Sequence, residues 1–165
     1  MNQLLHVSAS PHIKDRVTTS SIMLDVIIAL IPATLFGIIQ FKINALLIIV
    51  TTITTCVLAE YLYERFMKKT ITIKDLSAVV TGLILALNLP STVPLWLPVI
   101  GGLFAIIVVK QFYGGLGQNF MNPALAARCF LLISFTGRMT NFVFDGMTSS
   151  TPLAILKNGE SFDLI

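Results

Sequence analysis

The chain alternates long apolar runs with short polar connections. Residues 26–41 and 43–59 carry no charged side chain, and each extends over its flanks to the roughly 20 residues that a bilayer-spanning helix requires. Residues 41–44, which join these runs, are too few for anything but a tight hairpin. The pattern therefore predicts two antiparallel membrane spans.

A second uncharged stretch, from Leu76 to Val109, is too long for one straight helix. Such a helix would be roughly 50 Å long against a hydrocarbon core of roughly 30 Å. Residues 88–94 place turn formers and two prolines in its middle, so we expect two short helices, at about 76–89 and 95–111. Short, proline-interrupted apolar helices are typical of broken helices that line a site in a membrane protein.

Glycines interrupt the pattern next. Gly114, Gly115 and Gly117 cannot continue a helix stably, so residues 112–119 are predicted to form a loop at membrane depth. A new helix then has a clear start, because Asn122 is a favoured N-cap residue and the proline after it suits the first helical position. From position 136 onward the chain turns polar and is predicted to be a loop.

Composition agrees with this pattern. The 165 residues are 55% hydrophobic and 12% charged, with a mean hydropathy of +0.87, which is outside the range of a water-soluble domain of this size. We therefore predict an all-α integral membrane protein with about five transmembrane or half-membrane helices. The net charge is +3, but its basic residues are scattered over short loops, so no nucleic-acid partner is expected.

The basic residues also predict the orientation. With a cytoplasmic N-terminus, most of them fall on the cytoplasmic side, as the positive-inside rule requires. These are Lys14, Arg16, Arg65, Lys68, Lys69, Lys74 and Lys110. We accordingly expect a cytoplasmic segment over 1–21, a transmembrane domain over 22–137 and an extracytoplasmic loop over 138–165. If the short segment 76–92 is re-entrant instead of crossing, the tail returns to the cytoplasm.

A few polar residues within or beside the apolar helices are candidates for function. Arg128 lies about two turns into the last apolar helix, where an unpaired charge costs roughly 2.5–3.5 kcal/mol. One interpretation is a structural pair with Asp25, Glu60 or backbone carbonyls, and the other is a cation held near an electron-accepting group. Asn119 and Asn122 can hydrogen-bond a polar heterocycle, although capping alone accounts for Asn122.

Other chemistry is not indicated. His6 and His12 both precede the first span, so the membrane segments offer no Ser/His/Asp or Cys/His arrangement for hydrolysis or group transfer. Cys56 and Cys129 each stand alone in an apolar run, which argues against a disulfide or a cysteine metal site. By pattern alone, the hydroxyl cluster at 148–151 is a solvated turn.

Three separated stretches change this picture, because together they resemble one family. Segments within 10–33 resemble the start of the D subunit of the Rnf complex. Residues 113–124 (YGGLGQNFMNPA) resemble a motif that this subunit shares with the B subunit of the sodium-pumping NADH:quinone reductase. Residues 145–154 (DGMTSSTPLA) resemble the flavin-attachment motif of both. The likeness extends over essentially the whole chain.

The resemblance implies a covalent FMN. In the family a flavin transferase joins the phosphate of FMN to a threonine, and the matching residue is Thr151, with Asp145, Thr148 and Ser150 in the same loop. The usual Ser-Gly-Ala-Thr is replaced at 148–151 by Thr-Ser-Ser-Thr, which adds rival hydroxyls.

The resemblance also implies a second flavin. Asn119 and Asn122 match positions near a non-covalent riboflavin or FMN within the membrane. With the orientation above, the two flavins would lie towards opposite faces. Family members are longer and contain two inverted repeats, so this chain is expected to be about one repeat of such a bundle.

The resulting expectation is a membrane subunit of an Rnf-type ferredoxin:NAD oxidoreductase in a prokaryotic cell membrane, coupled to sodium or proton transport. Its expected partners are other subunits, the flavin transferase and lipid. The sequence has no Rossmann glycine motif and no iron–sulfur cysteine pattern, so NAD and ferredoxin are expected to bind elsewhere in the complex. The alternatives are half of an inverted-repeat solute channel or transporter, and a flavin-free structural anchor of the same complex.

Overall fold

The computed structural model describes residues 18–144 and 147–149. Helices occupy most of this part, and a two-stranded hairpin follows them. The elements are α1 (Thr19–Phe66), a 3₁₀ turn (Ile73–Asp75), α2 (Ser77–Leu87), α3 (Trp96–Leu103) with its π-helical continuation (Phe104–Gln111), α4 (Pro123–Ser134), α5 (Thr136–Met139), β1 (Phe142–Phe144) and β2 (Met147–Ser149).

The longest element, α1, is broken near its middle. Lys42 has φ 55° and ψ −136°, which are not helical values. We call residues 19–41 the first arm and residues 43–66 the second arm. Among the described residues, α1 is the one helix long and apolar enough by itself to cross a membrane.

The two arms fold towards each other. As one straight rod, α1 with its 48 residues would be roughly 70 Å long. Instead, Leu30 and Ile38 of the first arm pack against the same core as Ile48 and Ile49 of the second arm. The hairpin predicted at 41–44 is therefore confirmed.

The predicted break in the long uncharged stretch is also confirmed. Helices α2 and α3 lie where two short helices were expected, and residues 88–95 between them are not helical. Helix α2 packs closely on the second arm, because a Cβ on Gly82 would lie 2.9 Å from the Cα of Ile53. Only glycine allows backbones to approach this closely.

The core lies between the second arm and the three shorter helices. Its side chains are aliphatic, and alanines among the larger residues let the helices approach closely. The core side chains include Ile48, Ile49, Leu83, Leu85, Ala86, Leu97, Ala124, Ala127 and Leu131. Many large apolar side chains face outward instead, such as Ile39 at 75% and Ile133 at 81% exposed, and this outer surface suits contact with lipid.

The bundle has two chemically different ends. At one, which we call the cluster end, the side chains of Glu60, Ser77 and Lys110 meet. At the other, the turn end, Asn44 and Ser91 line one small cavity next to the joint of the two arms.

Residues 76–92 therefore cross the bundle from the cluster end to the turn end. The chain reaches the turn end again after α4, since Thr92 Oγ1 donates a hydrogen bond to the carbonyl of Asn141 at 2.7 Å. Within the bundle, residues 76–92 thus end opposite to where they begin, and their full crossing of the membrane stays a prediction.

The tail departs from the loop predicted after position 136. Four residues form α5, and β1 pairs with β2 in an antiparallel hairpin in which Phe142 faces Ser149 and Val143 faces Thr148. Two signals favour this hairpin: Phe and Val suit strands, and an Asp-Gly dipeptide stands between the two strand sequences. The predicted loop is therefore wrong for residues 142–144 and 147–149, because strand propensity and the turn dipeptide outweigh the polar composition of this segment.

Candidate functional site

A lysine is buried inside the bundle at the cluster end. Lys110 is 2% exposed, and its Nζ lies 2.6 Å from Oε1 of Glu60, which is fully buried. The same Nζ donates to Ser77 Oγ at 2.5 Å, and Ser77 in turn donates to Oδ1 of Asp75 at 2.5 Å. Buried charges are tolerated when they are paired and hydrogen-bonded. Both conditions hold for Lys110.

A second carboxylate belongs to the same cluster. Glu64 is 1% exposed and accepts hydrogen bonds from the backbone N–H and the hydroxyl of Thr72. Gln111 Nε2 donates to Oε1 of Glu60 at 3.0 Å and to Oε1 of Glu64 at 3.4 Å, so one amide bridges both acids. Oε2 of Glu60 is buried and has no hydrogen-bond partner among the described residues. The cluster therefore offers one unused carboxylate oxygen beside a fixed cation.

Local helix geometry brings these side chains together. The π-helical continuation of α3 ends with hydrogen bonds that span five residues, as between the N–H of Phe112 and the carbonyl of Ile107. Its wide turn directs the consecutive residues Lys110 and Gln111 towards the second arm, where both are buried. Such π-helical turns occur frequently at functional sites.

Arg128 does not belong to this cluster. Its Nη1 donates to Oδ1 of Asn88 at 2.8 Å, while Nδ2 of Asn88 donates to the carbonyl of Ile84. The predicted pairing of Arg128 with Asp25, Glu60 or backbone carbonyls is therefore wrong. Asn88 ends α2, and the negative end of a helix dipole favours a cation at this point.

A cavity of about 570 Å³ opens beside the glycine-rich loop, within the range of small-molecule sites of about 300–1,000 Å³. Its walls are almost entirely apolar, and the rings of Phe104 and Phe130 stack at 4.3 Å between centroids. At its mouth, Tyr113 and Phe120 form an edge-to-face pair at 4.8 Å. A flat heterocycle suits such an aromatic cavity.

The two predicted asparagines differ in position. Asn122 lines this cavity, which we call the asparagine cavity, and its Oδ1 caps α4 by accepting from the N–H groups of Ala124 at 3.0 Å and Leu125 at 3.4 Å. The predicted N-cap is confirmed, and its amide Nδ2 remains available as a donor. Asn119 does not line the cavity, but its Oδ1 is buried without a donor among the described residues. Arg128 is also absent from the lining of this cavity.

Most of the predicted attachment loop lies outside the described residues. This holds for Asp145, Ser150 and Thr151, whereas Thr148 belongs to β2. The hairpin begins after Asn141, which is bound to the turn end, and the asparagine cavity lies next to the cluster end.

These features define a class: a multi-helix membrane protein with broken helices and an internal charged site. The chain belongs to the NQR2, RnfD, RnfE family, which matches residues 6–165. This confirms both the resemblance inferred from three motifs and the all-α membrane fold class.

Named relatives agree with this assignment. The chain is 50% identical over 166 residues to the D subunit of the Na⁺-translocating ferredoxin:NAD⁺ oxidoreductase complex of Acetobacterium woodii, an alignment that covers 98% of this chain and 52% of that protein. It is 42% identical over 157 residues to the D subunit of the proton-translocating ferredoxin:NAD⁺ oxidoreductase complex of Clostridium ljungdahlii, covering 92% and 47%. It is 42% identical over 139 residues to the D subunit of the ion-translocating oxidoreductase complex of Shewanella denitrificans, covering 83% and 40%. The chain spans about half the length of these curated relatives.

Proposed function

We propose that this chain is part of a membrane subunit of an ion-translocating ferredoxin:NAD oxidoreductase complex in a prokaryotic membrane, and that it relays electrons through flavins. The observation that carries the proposal is the 50% identity, over 98% of the chain, to the D subunit of such a complex. Because the chain spans about half of that protein, the activity belongs to the full-length subunit assembled with its partners.

The asparagine cavity supports a non-covalent flavin, riboflavin or FMN. Its aromatic walls suit the flat ring system, and Asn122 Nδ2 is free to donate to a ring carbonyl. Asn119 lies outside the lining of this cavity, so its assignment to the flavin rests on the family resemblance. When bound, the flavin supplies the electron-transfer chemistry, and these residues hold and orient it.

The tail motif supports a covalent FMN on Thr151, attached by a separate transferase, with Asp145, Thr148 and Ser150 as its neighbours. The residue before a proline is biased towards an extended backbone, and a hydroxyl in a polar sequence that contains glycine is a reasonable target for a modifying enzyme. With a cytoplasmic N-terminus this loop is extracytoplasmic, on the side expected for the transferase.

Mass spectrometry of the tryptic peptide 139–157 tests the covalent flavin. We expect a mass increase equal to one FMN phosphoester and in-gel fluorescence, both lost in Thr151→Ala and both retained in the matched controls Thr148→Ala and Ser150→Ala. An unmodified peptide from cells that contain the transferase would favour the solute channel or the flavin-free anchor instead.

The second flavin is tested in a Thr151→Ala background, where no covalent flavin remains. Asn122→Asp keeps the N-cap, because aspartate caps helices as well as asparagine does, but it removes the Nδ2 donor. We expect the flavin released by acid precipitation to fall several-fold in Asn122→Asp. Equal flavin content in both proteins would contradict a role for this amide.

Ion movement is assigned to the cluster end, because Glu60 presents a buried, unpartnered oxygen there. We expect Glu60→Gln, combined with Lys110→Met so that no buried charge is left unpaired, to reduce ion transport in reconstituted vesicles while electron transfer into the complex persists. Asp25→Asn tests the exposed acid of the first arm in the same assay. A residue whose amide variant transports ions normally has no relay role.

A further inference from the structure

The second arm ends in a turn that ordinarily takes glycine, but the residue there is Lys68. The N–H of Lys69 donates to the carbonyl of Glu64 at 2.9 Å and that of Lys68 to Arg65 at 3.4 Å, which are the two hydrogen bonds of a Schellman motif. Lys68 has φ +52°, a conformation that L-residues avoid and glycine adopts freely. A lysine here sacrifices local stability, which points to a separate role for its side chain.

Lys68 belongs to a group of exposed cations at the cluster end. We call Arg65, Lys68, Lys69 and Lys74 the basic collar; all four are exposed. The carboxylates nearest to them are turned inward, because Glu60 and Glu64 are buried and Asp75 is hydrogen-bonded to Ser77.

The surface charge of the collar is therefore positive throughout. Within residues 18–144 the one exposed acid is Asp25, which lies on the first arm. Lys69 is partly held, with its Nζ 3.4 Å from the carbonyl of Gln111 and 4.9 Å from the ring centre of Tyr63. No acceptor within residues 18–144 engages the ammonium group of Lys68 or Lys74, so these two cations are available to an external anion.

Apolar side chains lie among the cations of the collar. Phe66 is 82% exposed, and Met67, Ile71 and Phe112 are each more than half exposed. An ammonium group beside exposed aromatic and aliphatic side chains at the end of a membrane helix matches the headgroup level of a bilayer, where phosphate and acyl chains are both within reach. A soluble acidic partner would bind the cations of the collar but would not cover the apolar side chains among them.

We propose that the basic collar binds the phosphate groups of anionic phospholipids, with Lys68 and Lys74 as the principal contacts. Lys69 then fixes the turn against the end of α3, and the exposed apolar side chains enter the acyl region below. The interaction is electrostatic at its polar side, so it weakens as ionic strength rises.

The test uses the complex with its full-length subunit in vesicles of phosphatidylcholine, with a trace of photoactivatable phosphatidylglycerol or photoactivatable phosphatidylcholine. Labelled peptides are identified after chymotryptic digestion, so that lysine substitutions do not alter cleavage. We expect the anionic probe to label the peptides around residues 67–75 several-fold more than the neutral probe, and high salt to remove the difference.

Two lysines at positive φ provide a matched pair of variants. Lys68→Gly and Lys42→Gly each relieve a disfavoured backbone conformation and each remove one positive charge, at opposite ends of the bundle. We expect preferential labelling at the collar to fall several-fold in Lys68→Gly, to fall further with Lys74→Gln added, and to persist in Lys42→Gly.

Equal labelling by both probes in the wild type would overturn the proposal. So would preferential labelling that stays unchanged when Lys68→Gly is combined with Lys74→Gln. The proposal would also be wrong if Lys42→Gly lowered preferential labelling of the collar as much as Lys68→Gly does. A chemical crosslink that joins Lys68 or Lys74 to another subunit in most complexes would also overturn it, since the collar would then be a protein interface.

Discussion

The two arms of α1 have similar apolar sequences but different surroundings. All seven buried residues of α1 lie in the second arm, between Ile48 and Glu64. The first arm touches the core through Leu30 and Ile38, and its side chains are otherwise mostly exposed. Similar hydrophobicity therefore does not determine which arm packs inside the protein; small residues and polar partners distinguish the two arms.

This difference predicts where substitutions are costly. The second arm contains the buried acids Glu60 and Glu64, and α2 packs closely against it at Gly82. Substitutions in or against this arm are therefore expected to be destabilising. The first arm offers an apolar surface to lipid or to another protein, so conservative changes there are expected to be nearly neutral.

The largest effect is expected from Lys110→Met, which breaks the buried pair on the second arm. Glu60 would remain buried without its cation, a situation that typically costs about 3–5 kcal/mol. Thermal unfolding of the detergent-solubilised full-length protein measures the loss. Asp25→Asn, on the exposed first arm, is the control and is expected to change stability by less than about 0.5 kcal/mol. Similar melting temperatures for both variants would mean that the ion pair contributes nothing.

A smaller effect is expected from Gly82→Ala. The new Cβ would lie 2.9 Å from the backbone of Ile53, so α2 must move away from the second arm, at a typical cost of about 1–3 kcal/mol. Gly37→Ala is the matched control in the first arm, because a Cβ there meets nothing within 4 Å and alanine favours a helix by about 1 kcal/mol. If Gly82→Ala is as stable as Gly37→Ala, the contrast between the arms is wrong.

The sequence predicted the two arms better than the charged cluster of Glu60, Ser77 and Lys110. Charge-free runs and prolines are local signals, so the hairpin and the broken helices could be located in advance. Lys110 and Glu60 are 50 positions apart, and nothing local distinguishes this buried lysine from a lysine that flanks a span. For Arg128 the partners considered from the sequence were Asp25, Glu60 and backbone carbonyls, whereas the fold brings it to the amide of Asn88, 40 positions away. Such pairs depend on how helices pack, which periodicity does not specify.

The smallest effect, and one of opposite sign, is expected at the joint of the arms. Lys42 adopts a disfavoured backbone conformation, so Lys42→Gly is expected to raise stability by about 0.5–1 kcal/mol, after the greater entropy of glycine in the unfolded chain is subtracted. Gln40→Gly, two positions earlier in regular helix, is the control and is expected to lower stability by about 0.5–1 kcal/mol. The melting temperatures of the two variants, each compared with the wild type, test this prediction. A lower melting temperature for both variants would mean that the helix runs straight through Lys42 and that the arms do not fold against each other.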